Sequence, residues 1–195
     1  MAMLERARRG GAAILIAVAT AAAGQDTPPV PPQFAEVPNV RVEYYTVSGT
    51  SPAAIRKSMN AVRPADSKGE RFDAITRWTV RWRFVKRTLP NGECSPSDAQ
   101  VAFAATVTLP RLVDSDAPAE VRARWRRYVE ALETHEAGHA SRAWARVPDI
   151  TSALLDSSCE AANDTARAIV KQMNKADIAY DSETRHGATE GATFP

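Results

Sequence analysis

Two of the three histidines in this 195-residue chain, His135 and His139, stand four residues apart, and Glu136 follows the first directly. On a helix that spacing projects both imidazoles from one side, about one turn apart, where they can bind a single ion. Glu136 points roughly 100° around the helix from His135. From there it can reach a metal-activated water without binding the metal, which is the position a general base for hydrolysis requires. Zinc suits such nitrogen donors, polarises a peptide carbonyl and lowers the pKa of its water towards about 7. The stretch therefore predicts two ligands for one Zn2+ ion and one base. Gly138, just before the second histidine, costs about 1 kcal/mol of helix propensity relative to Ala, an inconsistency that a functional helix tolerates.

A catalytic zinc normally takes three protein ligands and keeps a position for water. His186 is the remaining histidine, and Asp181, Glu183 and Glu160 compete with it for the third place. Spacing does not decide among them.

A helix must hold the pair. Val121, Trp125, Tyr128, Leu132, His135 and His139 are separated alternately by four and three residues, so after Pro118 the two histidines continue one apolar stripe. Pro148-Asp149 interrupts this helix and begins a second, with Ile150, Leu154, Ala162, Ala166, Ile169 and Met173 as its buried side and Cys159 within it. The end of the chain, 179–195, reads as polar and irregular.

Upstream the period is two. Val40, Val42, Tyr44 and Thr46 alternate, and so do Val101 to Leu109 before Pro110. The strongest strand signal lies between them. Ala74, Thr76, Trp78, Val80, Trp82 and Phe84 share one face, expected to be core, and Arg77, Thr79, Arg81 and Arg83 share the other. Residues 52–62 read as a short helix, and Asn91-Gly92 as a turn with Cys94 in the connecting loop. The expected sheet is antiparallel with three or four strands, and the strand ending at Pro110 is a candidate edge for pairing with an extended peptide.

Arg6, Arg8 and Arg9, an apolar run from Ala12 to Ala19 and small residues to Gly24 read as a signal peptide over 1–23. The run is shorter than the roughly 20 residues of a spanning helix, so no stable membrane insertion is expected after cleavage. Residues 24–38 read as a proline-rich tether and 39–195 as one domain. Three arginines and one glutamate fall in the signal peptide, so the 25 basic and 23 acidic residues of the full chain become 22 of each. A balanced charge gives no footprint for nucleic acid. In an exported chain Cys94 and Cys159 are expected to pair, which removes both as zinc ligands.

The signal peptide, the paired tryptophans, the helix with His135-Glu136-x-x-His139, the later cysteine and the string Tyr180-Asp181-x-x-Thr184-x-His186-Gly187 together resemble the DUF922 family. Its members are predicted secreted zinc-dependent proteases of bacteria, grouped with zincin-like metallopeptidases. The resemblance covers roughly residues 40–190. It implies an α+β zincin-like fold, a small antiparallel sheet followed by the active-site helix and a second packing helix. It also implies His135, His139 and His186 as zinc ligands and Glu136 as base. Tyr180 could then donate to the oxyanion and Asp181 orient a ligand histidine. The chain departs from metzincin spacing, since Arg142 and Ala145 stand where a glycine and a third histidine would follow. The expected function is an exported, periplasmic or secreted zinc peptidase acting on a peptide or protein. The alternatives are a non-catalytic zinc-binding or structural protein and a zinc amidase of cell-wall peptides.

Overall fold

The computed structural model describes residues 29–113 and 116–195. The segment read as a signal peptide, 1–23, lies outside them. The described chain is α+β: β1 (Val40–Val47), α1 (Pro52–Val62), β2 (Ile75–Thr88), β3 (Cys94–Leu112), α2 (Ala119–Ala145), α3 (Val147–Leu155) and α4 (Ala162–Thr184). Single turns of 3-10 helix occupy Pro32–Phe34 and Ala188–Glu190. No helix among the described residues is long and apolar enough to cross a membrane.

The strand order is β1-β3-β2, with β2 antiparallel and β1 parallel to β3. The sheet is thus mixed, not wholly antiparallel. Alternation shows which residues share a face but not which strand lies alongside. The α1 crossover is long enough for β1 to leave a place that the β2–β3 hairpin fills. The strand ending at Pro110 is consequently the central one, paired on both sides, and β1 and β2 are the edges.

Elements with a clear period form as expected. α1 begins with Ser51 accepting the Ala54 N–H, and Pro52 takes the first turn, where its missing donor costs nothing. Val42, Val107 and Leu109 from the sheet meet Tyr128 and Leu132 of α2, Ile55 and Met59 of α1, and Ile150 and Leu154 of α3 in one core. Trp78, Val80, Trp82 and Phe84 do share the inner face but are only half-buried, because they lie on an edge strand. The proline-rich stretch also reaches the core, where Phe34 and Val37 are buried.

The second helix is two. α3 ends at Leu155 and α4 starts at Ala162, and Cys159 lies in the loop between them, joined to Cys94 by a disulfide. Ser157 donates its hydroxyl to Ala153 O and closes the end of α3. Cys94 is the first residue of β3, opposite Thr88, and not a loop residue. The expected irregular tail begins late, for α4 stays helical to Thr184. That extra length determines what faces α2.

Candidate metal centre

α2 delivers His135 and His139 from one side, and both are buried. α4 packs against that side and delivers Asp177 and Asp181, four residues apart and therefore on one face. His135 Nε2, His139 Nε2 and Asp181 Oδ1 converge, each 3.2 Å from the other two. These three are the group of donors among the described residues that could hold a metal. Bonds of about 2.0–2.1 Å to a tetrahedral zinc put its donors about 3.3 Å apart, so the triangle has the size of one tetrahedral face.

The outer imidazole nitrogens are fixed as well. His135 Nδ1–H donates to Glu190 Oε2 at 2.8 Å, and His139 Nδ1–H donates to Asp177 Oδ1 at 2.7 Å. A carboxylate on Nδ1 selects the tautomer whose Nε2 lone pair is free for a metal, and it makes that nitrogen more basic. Burial lowers the affinity of His139 for a proton, but its bonds to Asp177 and Asp181 outweigh this and raise its pKa to about 10. His135 is raised too: burial opposes, and Asp181 and Glu190 prevail. Asp181 is held well below the usual carboxylate range, because His135 and His139 overcome its burial. The cluster favours positive charge at its centre, which protons or a cation can supply.

Glu136 is only 4% exposed and lies beside the triangle, not in it. Its Oε2 has no hydrogen-bond partner among the described residues. Burial pushes its carboxyl up, against the pull of His139 and His135. An orphaned buried acceptor carries a desolvation cost that a hydrogen-bonding ligand or water would relieve. Thr76 of β2 donates its hydroxyl to Glu136 O at 3.2 Å and ties the edge strand to the helix here. A cavity of about 420 Å³ opens over Glu136 and the three converging donors.

The closing string has a structural meaning. Arg185, His186 and Gly187 all take positive φ, and His186 N–H returns to Asp181 O at 2.9 Å. This tight left-handed turn swings His186 back over α4. Its Nδ1 comes within 3.2 Å of Asp181 Oδ1, and its exposed ring lies 5.1 Å from Phe72 at the cavity wall. His186 is thus at the site, but the third converging donor is Asp181. Glu183 is exposed on α4, and Glu160 stands by the disulfide loop on the wall of a different cleft.

Tyr180 stacks on His135, with ring centroids 5.0 Å apart, and its hydroxyl donates to Glu190 Oε1 at 3.0 Å. The phenol is therefore engaged behind the two histidines. It also accounts for Gly138: a Cβ there would fall 2.3 Å from the Tyr180 hydroxyl. Gly187 is constrained in the same way, since a Cβ would lie 2.9 Å from His135 Cγ.

Asp177 and Glu190 are the residues that sequence reasoning passed over. Asp177 had a signal, its four-residue spacing from Asp181, which appears once α4 is continued to Thr184. Glu190 had none, because its approach to His135 depends on the left-handed turn.

A family model described as a bacterial protein of unknown function (DUF922) matches residues 42–187. The match spans every residue named at the centre except Glu190. No curated protein and no solved structure matches the chain.

Proposed function

The chain belongs to the DUF922 family, whose description assigns no activity, and we propose from its site that it is a zinc-dependent peptidase. One observation carries the reading: three donors at tetrahedral spacing lie beside a buried glutamate that does not ligate yet faces the same cavity. His135, His139 and Asp181 would hold the ion, with Asp177 and Glu190 orienting the imidazoles. A bound zinc would supply Lewis-acid polarisation of the scissile carbonyl and make a water acidic enough to lose a proton. Glu136 takes that proton and passes it to the leaving amine. Tyr180 fixes Glu190, and His186 at the mouth is placed to donate to the substrate. The edge of β2 beginning at Ile75 runs along the cavity and offers its unpaired backbone to an extended peptide. The disulfide and the signal-like N-terminus agree with an exported protein of an oxidising compartment. This reading keeps the chain with zincin-like metallopeptidases, as its resemblance implies.

A second reading, a closed structural zinc joining α2 to α4, is favoured by the proximity of His186 to Asp181. Metal content of purified protein separates the two. The peptidase reading expects one zinc per chain, lost in His135→Ala and Asp181→Ala and kept in His186→Ala. Zinc lost in all three variants would mean four protein donors and favour the structural site. No zinc in the wild type after reconstitution would end both readings.

A further inference from the structure

The cavity wall away from the metal donors is built by the end of α1 and the turn that follows, and it carries Arg63 and Arg71. Their charges are poorly matched. The nearby Asp73 carboxylate accepts from Arg56 Nη1 at 2.9 and 2.7 Å and from the Tyr128 hydroxyl at 2.7 Å. Arg63 reaches the same carboxylate through one longer contact, at 3.2 Å. A single acid thus serves two guanidiniums, and Arg56 makes the shorter contacts. The Arg63 Nε is buried without a partner among the described residues. Arg71 donates to a neutral acceptor, Arg63 O, at 2.8 Å, and no carboxylate lies within ion-pair distance of it among the described residues. The remaining acid of this wall, Asp66, turns its Oδ1 to the N–H groups of Lys68 and Glu70.

Half-buried Arg63 shares its anion with Arg56 and keeps an unpartnered Nε, exposed Arg71 has no carboxylate partner among the described residues, and a planar guanidinium fork matches a carboxylate in two parallel bonds. Resting on the peptidase reading, we propose that Arg63 and Arg71 form a carboxylate-binding subsite, so that the preferred substrate is an anionic peptide. Its carboxylate lies on the Arg63 side when the scissile bond lies over the metal donors. Two sources share this chemistry, an Asp or Glu side chain and a free C-terminal carboxylate.

Binding to zinc-loaded Glu136→Gln protein, measured by calorimetry, tests the subsite without turnover. Three hexapeptides serve as probes: an all-neutral peptide amide, the same amide with one internal Glu, and the neutral peptide with a free C-terminus. We expect one acidic probe to bind at least about tenfold tighter than the neutral amide, as bonds to a charged group allow. Which one wins identifies the source. In Arg71→Met, which lies on an exposed turn, and in Arg63→Met the advantage should shrink to less than about threefold. Persistence of the advantage in both variants would assign the carboxylate to the metal and overturn the subsite. Equal binding of all three probes would overturn the subsite and leave the peptidase reading standing. Binding of none would end both.

Discussion

Two half-buried aspartates, Asp73 and Asp181, sit in surroundings of similar outline and opposite chemistry. Asp73 draws in Arg56, Arg63 and Tyr128, and Asp181 draws in His135, His139 and His186. Each carboxylate is held below its usual range by its donors against its own burial. The Asp73 donors keep their protons at any ordinary pH, and Arg56 also binds Phe194 O at 2.7 Å, clamping the end of the chain onto α1. Imidazoles such as His135 and His139 can release theirs. The first cluster is a clamp of fixed charges, and the second is one whose protons a cation could replace. Donor type, not the number of contacts, makes the distinction.

Substitutions can sharpen or break it. The largest effect is expected in the second cluster's neighbour: Glu136→Gln should lower peptide hydrolysis by about 10²–10⁴-fold while zinc stays at one per chain. Near-normal turnover in that variant would remove the proposed relay. In the first cluster Asp73→Asn should cost about 3 kcal/mol in denaturant unfolding, because two guanidiniums lose their anion, yet zinc content should not change. If zinc were lost instead, the clamp would be part of the metal centre. Asp177→Asn and Glu190→Gln should each weaken zinc about 10–100-fold in a chelator competition and leave the fold intact. Unchanged affinity in both would reduce these carboxylates to packing.

The smallest effect is in pH dependence, where the clusters have opposite signs. The folded pKa of Asp73 lies below its ordinary 3.8, so its contribution to stability is complete above that value and is lost as pH falls below it. The folded pKa of His139 lies above its ordinary 6.5, so in the metal-free protein its contribution is complete below 6.5 and is lost as pH rises through about 10. Zinc must displace that proton, so zinc affinity should climb between about pH 6.5 and 10. Affinity that stays flat across this window would show that zinc displaces no proton from His139 there.

The clamp was invisible in the sequence, and half of the candidate metal centre was legible. His135, Glu136 and His139 could be read because one helix fixes their relation and its apolar stripe gives the helix. Likewise β1 and α1 could be read from the sequence over nearly their full lengths. The parallel pairing of β1 with β3 depends on strand neighbours, about which alternation is silent. Asp181 could be named only as one competitor for the third place, because the polar run from residue 179 suggested a loop, where packing against α2 carries α4 through to Thr184, and the pairing of Asp177 with Asp181 on one face depends on that continuation. Arg56 and Arg63 belong to α1 and its C-cap, but Asp73 comes from the loop before β2, and nothing in its spacing announces the contact.

The Cys94–Cys159 cross-link divides the site in a way that bears on its assembly. The covalent ring it closes contains β3, α2 and α3, and with them His135, Glu136 and His139. Asp177, Asp181 and Glu190 lie outside the ring, on a segment joined to it by the main chain at one end and otherwise by non-covalent contacts. An ion shared across that boundary would act as a second, reversible staple. Chelation should then loosen α4 and the turn after it while the ringed helices stay shut, a difference that hydrogen exchange along the chain would resolve.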